Sequence, residues 1–238
     1  GMPVNWANIT HLSFGAYALE VADIDDTPFP QAPTFFEASD ALQVLKGCPS
    51  LVSCRLCLSS ERAWMDPEDT LSQSSVTTLP ALTFLHLQFQ VLHPSFAASL
   101  ILPSLRELRL VSSFVPDSVK ATAAAGIANC LLRWGSSLKS ARFNYTALSA
   151  AQFEECLTTL VGVENLYLDS FMPPVNNFSD DQLSSSTSYA LFSGDLLQKM
   201  TPCFDKDGGL ASPLPILCKL RKFTCKAIVS GELPVQDA

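Results

Sequence analysis

Residues 102–110 read LPSLRELRL. Leu102, Leu105, Leu108 and Leu110 stand three, three and two apart, with Arg106 and Arg109 in two of the gaps. A helix returns to one face every three or four residues and a strand every second residue, so neither alone accounts for the spacing. A turn that feeds a short strand does. Leu108 and Leu110 alternate with their neighbours as a strand requires, Leu105 lies in the turn ahead of them, and all three point into one core.

The same spacing recurs along the chain, which makes the repeat the first thing to read. Numbering the unit from one to seven, with apolar residues at one, four and six, strong copies begin at Leu51, Leu82 and Leu105. Weaker ones begin at Ile9, Leu138, Val163 and Leu220, giving seven copies in all. Pro49, Pro80 and Pro103 precede the strong copies. A proline donates no backbone hydrogen bond, so each is expected to end a preceding helix.

Between the copies the apolar period turns helical. Residues 35–47 place Phe36, Leu42 and Leu45 on one face, with Ser39 or Asp40 near the helix start. Residues 118–135 bring Ile127, Leu131 and Trp134 together, and residues 149–160 set Phe153, Leu157 and Leu160 behind Ser149 as N-cap. A unit of one strand and one return cannot bury its own faces, so the units must stack. Each inward leucine contributes about 1.5–3 kcal/mol when buried.

The expected fold is therefore α/β, a leucine-rich-repeat solenoid or horseshoe spanning 1–238 as one domain. Its parallel sheet lies on the concave side, with helices or irregular segments on the convex side. Strands are expected near 9–14, 51–56, 82–87, 105–110, 138–143, 163–168 and 220–225. Successive copies start 42, 31, 23, 33, 25 and 57 residues apart, so the longer gaps carry insertions. Acidic loops are expected at 23–33 and 66–75, and an insertion or flexible loop at 172–188. The thirteen residues after Cys225 are too few for another helix and a cap, which predicts a piece of a longer chain.

Totals narrow the class. The chain is 47% hydrophobic with mean hydropathy +0.22, enough to fold. A net charge of −8 and a pI near 4.8 argue against binding nucleic acid through a basic surface. No apolar run reaches the roughly 18 residues of a membrane span, and the first residues lack a signal-peptide pattern, so the expected location is cytoplasmic or nuclear. Eight scattered cysteines fit reduced, mostly buried thiols better than a disulfide scaffold. Cys54 and Cys57 form the one close pair, without the second pair a zinc site needs.

Several stretches resemble a known family. VNWANITHLSF, ALQVLKGCPSLVSCRLCL, LPALTFLHL, LPSLRELRL and LLQKMTP with LPILCKLRKFTC are similar to the leucine-rich-repeat region of F-box-type proteins from mushroom-forming fungi. Order and motif content match over nearly the whole chain. The resemblance implies an adaptor of a cullin-based ubiquitin ligase whose repeats capture a substrate. The F-box, which precedes the repeats in that family, is not among these residues. A secreted or receptor-type recognition module is the alternative, with glycan at Asn8 or Asn177 and paired cysteines. The third sequon, Asn144, falls on a strand flank, a poor place for a glycan.

In this repeat, positions three, five and seven point away from the core. Position five reads Ser13, Arg55, His86, Arg109, Arg142, Tyr167, Thr224. Counted over all seven copies, the repeat segments hold eight Lys/Arg and three acids, while the rest of the chain holds seven and twenty. Arg55, His86, Arg109 and Arg142 are expected to form a basic stripe flanked by Phe84 and Tyr167. Arginine and aromatic side chains dominate binding hot spots, and a guanidinium fork pairs carboxylate or phosphate. The expected partner is a protein or peptide, acidic or phosphorylated, on the concave face.

No catalytic constellation emerges: nucleophile-elbow, phosphate-loop and dinucleotide motifs are all missing. His11, Cys57 and His86 share the outward face of neighbouring strands, but unrelated surface residues explain them more simply. DKDGG at 205–209 lacks the later ligands of a calcium loop and reads as a turn. The expectation is a non-enzymatic binding protein with no cofactor and no metal.

Overall fold

The computed structural model describes residues 5–14, 36–59, 76–89, 91–112, 120–169, 217 and 219–225. Every repeat enters its strand through the same turn. The position-one amide donates to the carbonyl three residues earlier in all seven copies: Ile9 to Trp6, Leu51 to Cys48, Leu82 to Leu79, Leu105 to Leu102, Leu138 to Gly135, Val163 to Leu160 and Leu220 to Leu217. The position-two carbonyl of each copy but the last then accepts two amides from the following repeat. Thr83 O, for instance, takes Arg106 N at 2.9 Å and Glu107 N at 3.0 Å.

These turns deliver the strands β1 (His11–Phe14), β3 (Ser53–Ser59), β5 (Phe84–Phe89), β7 (Glu107–Ser112), β8 (Ser140–Asn144), β9 (Asn165–Asp169) and β10 (Lys222–Cys225). They form one parallel sheet in the order β1-β3-β5-β7-β8-β9-β10, each strand beside the next along the chain. The strands begin two residues after each expected start, because positions one and two are spent in the turn. Repeat numbering and register coincide throughout. Position four forms the row Leu12, Cys54, Leu85, Leu108, Ala141, Leu166, Phe223, and position six runs in the same way from Phe14 to Cys225. The position-four row is buried from Leu12 to Leu166, whereas Phe223 is 43% exposed.

The other face of these rows is covered by α1 (Ala38–Lys46), α2 (Pro94–Ala98), α3 (Lys120–Trp134) and α4 (Ala150–Thr159), whose apolar residues share the core with positions one, four and six. In α4, the Ser149 Oγ accepts from Gln152 N while Gln152 Oε1 accepts from Ser149 N, a reciprocal cap over the first turn. Ile127, Leu131 and Trp134 of α3 are buried as their spacing requires. Gly126 allows α3 to lie directly on the preceding segment: a Cβ there would run into the Leu92 carbonyl.

Two expectations are corrected. Phe36 is not helical; with Glu37 it forms β2 (Phe36–Glu37), pairs with Leu58 of β3 and lays its ring 4.9 Å from Phe14. The N-cap of α1 is Glu37, with no side chain closing it, and Ser39 and Asp40 lie in the first turn, near the helix start as expected. Pro80 and Pro103 follow two-residue strands, β4 (Thr77–Thr78) and β6 (Leu100–Ile101), which pair parallel in a second small sheet, so these prolines end no helix. The 23-residue step between those copies leaves room for little more than β6 and the five-residue α2. The loops 23–33, 66–75 and 172–188, Trp64, Asn177, Cys203, Cys218 and the turn at 205–209 lie outside the described residues. No helix among the described residues is long and apolar enough to cross a membrane.

Candidate functional site

Strand alternation turns positions three, five and seven toward the face opposite the helices. The position-five row places Arg55, His86, Arg109, Arg142 and Tyr167 on five successive strands, and Phe84 stands in the position-three row between Ser53 and Glu107. All six expected site residues thus share one face, but they are not equivalent.

Phe84 is the centre of the cluster. The Arg55 guanidinium lies 5.5 Å from its ring centroid and that of Arg109 lies 5.4 Å away, one reaching from each neighbouring strand. Each such contact is worth about 0.5–1 kcal/mol at an exposed site. Arg109 also meets the Glu107 carboxylate, with Nε at 2.9 Å and Nη2 at 2.8 Å from Oε1. Arg142 grips Asp169 side-on, Nε to Oδ2 at 2.6 Å and Nη2 to Oδ1 at 3.4 Å. The Lys222 ammonium stands 5.3 Å from the Tyr167 ring centroid. No protein-family model, curated protein or solved structure matches this chain. The surface must be read from its own chemistry.

The ion pairs matter for what the face can bind. The side chains of Arg109 and Arg142 each keep about a third of their surface open, 32% and 31%. Exposed pairs of this kind contribute only about 0–1 kcal/mol, so their chief effect is to hold each guanidinium in one orientation. Glu107 and Asp169 also cancel part of the positive charge counted in the repeat segments. Among the described residues at positions three, five and seven, four cations (Arg55, Arg109, Arg142, Lys222) stand with two carboxylates (Glu107, Asp169). Sequence reasoning missed Asp169 because its contact with Arg142 is diagonal, from position five of one strand to position seven of the next. Only the register brings the two together.

His86 departs from the expected stripe. It is 4% exposed, and at position seven Cys57 (0%) and Gln88 (7%) are also buried, with the Cys57 thiol donating to Gln88 Oε1 at 3.6 Å. Of the six expected site residues, the accessible ones are therefore Arg55, Phe84, Arg109, Arg142 and Tyr167, all half-buried.

Burial also decides the state of the thiols. It pushes Cys54 up to about 12, aided by neighbouring Cys48, and Cys156 up to about 12, aided by Glu155. Cys57 and Cys130 are raised by burial as well. A thiol held protonated is a poor nucleophile and a poor metal ligand. Among the described residues no group of three His, Cys, Asp or Glu side chains is placed to hold a metal ion.

Proposed function

We propose that this chain is a leucine-rich-repeat solenoid, with its sheet on the concave side, that captures an acidic protein segment on the open sheet face. The role that best fits is substrate recognition for an F-box-type ubiquitin ligase adaptor working in the cytoplasm or nucleus. The single observation that carries the binding reading is Phe84 held between the Arg55 and Arg109 guanidinium groups on an ordered sheet. A large apolar ring with two oriented cations is the composition of a binding hot spot. Repetition of one turn, one strand and one return supports the solenoid, and the resemblance to fungal F-box proteins supports the ligase role.

The test is affinity purification of the tagged full-length protein from its source cell, beside an Arg55→Glu, Arg109→Glu variant. The reading expects an acidic partner that the variant loses, and a cullin-ligase linker subunit that both forms retain. Recovery of the same partners by the variant refutes the binding face, and absence of any ligase subunit refutes the adaptor role.

A further inference from the structure

A cleft lies outside the large sheet, where the end of α3 meets β6. In the copies that begin at Leu82 and Leu105, a two-residue strand leads into the turn, and these strands pair as β4 and β6. In the copy that begins at Leu138, the fifteen-residue α3 and the single turn Gly135–Ser137 take that place. Among the described residues no third strand joins the small sheet, and a recess of about 370 Å³ opens beside β6. It is lined by residues 100–103 and by Arg133, Trp134, Ser136 and Ser137. Its size falls within the range of small-ligand sites.

The backbone acceptors of this wall are largely spent. Leu100 O takes Arg133 Nε at 3.1 Å, Ile101 O takes Leu79 N at 3.0 Å and Leu102 O takes Leu105 N at 3.3 Å. Trp134 O takes Ser137 Oγ at 2.9 Å, and Ser137 O takes Arg106 Nη1 at 3.2 Å. Donors are left over. Among the described residues Arg133 makes only the bond to Leu100, so its terminal nitrogens remain for a ligand. The Trp134 side chain is 4% exposed and its Nε1 has no acceptor, a buried unpaired donor of the kind folded proteins seldom leave. No lining side chain is acidic, and residues 100–103 are all apolar, with Ile101 43% exposed.

Surplus donors and a guanidinium select an anion, and the apolar side selects one that carries hydrocarbon. Inorganic phosphate offers nothing to Ile101 and Pro103. A neutral amide brings N–H groups to a wall whose acceptors are mostly taken, whereas a carboxylate brings acceptors alone. We propose that this cleft binds an apolar carboxylate, with its oxygens on Arg133 and its hydrocarbon against Ile101 and Pro103. A free small acid and the C-terminal residue of a peptide both present that group.

The test titrates the protein with isocaproate and with an acetylated tripeptide ending in a free leucine carboxylate, each beside its amide, and with inorganic phosphate. Binding is followed by the Trp134 indole N–H resonance, assigned by its absence from Trp134→Phe. Each acid should shift that resonance and bind about tenfold tighter than its amide, which lacks the charge-assisted pair. Arg133→Gln should remove the difference. Ser136→Trp, a change at an exposed residue that fills the recess, should abolish binding of both acids, with thermal melts confirming that each variant folds. Tighter binding of the peptide acid assigns the cleft to chain termini and tighter binding of isocaproate assigns it to small molecules; either supports the site. Equal affinity for acids and amides, tighter binding of phosphate, no shift at Trp134, or undiminished binding by folded Ser136→Trp overturns it.

Discussion

Leu108→Ala is the sharpest test of the stacked core. Leu108 is fully buried and sits in the position-four row between Leu85 and Ala141. Removing its side chain forfeits the transfer energy of the lost carbons and leaves a cavity that neighbours fill only in part, which across buried leucines costs about 2–5 kcal/mol. Here the strand is pinned by β5 and β8 on both sides, and the alanine at 141 has no bulk to move into the space. The loss should therefore fall in the upper half of that range, about 3–5 kcal/mol. Phe223→Ala removes a larger side chain from the same repeat position, but Phe223 is 43% exposed on the last described strand. Water reoccupies that site, no cavity term arises, and the cost should be about 1 kcal/mol. Urea unfolding followed by circular dichroism measures both. A Leu108→Ala loss below about 1 kcal/mol, or one no larger than that of Phe223→Ala, would refute the idea that burial along this row, and not residue size, sets the stability.

Two further outcomes follow from packing and burial. Gly126→Ala should destabilise by about 1–3 kcal/mol, because the added methyl meets the Leu92 carbonyl and overpacks α3 against the segment that precedes α2; a thermal melt showing the gain of about 1 kcal/mol normal for glycine to alanine in a helix would contradict it. The Cys54 and Cys156 thiols keep their protons in the folded state up to about 12, against an ordinary value of 9.0. Between those limits the unfolded chain gives up protons that the fold retains, so this contribution is complete below about pH 9 and shrinks by about 1.4 kcal/mol per pH unit per thiol above it. Urea midpoints from about pH 8 to about 11 should fall with increasing slope, and a Cys54→Ala, Cys156→Ala variant should fall less steeply. Parallel profiles for the two proteins would show that the thiols do not carry the effect.

How much of this was legible in the sequence depends on whether a feature repeats. Positions one, four and six could be aligned without coordinates because each must be apolar in nearly every copy, and the sheet reproduces that alignment residue for residue. The turn that begins at Leu102 was half visible: Leu79, Leu102, Leu160 and Leu217 stand three residues before position one, but Trp6, Cys48 and Gly135 hide the pattern in the other copies. Two-residue strands such as β2, β4 and β6 carry no period at all, and Phe36 looked helical because its spacing to Leu42 and Leu45 fits a helix face. The outward face of the sheet was legible in direction and not in charge. Alternation alone says that Arg142 points outward; only the lateral register reveals that Asp169 of the next strand reaches it. The electrostatics of a sheet face belong to pairs of strands, and a charge count along the chain gives the sum without showing which cation a neighbouring strand's carboxylate already holds, a correction that only the register supplies. For this protein that correction turns a uniform basic stripe into three oriented guanidinium groups. Oriented groups can distinguish one acidic partner from another, which a diffuse positive surface cannot do.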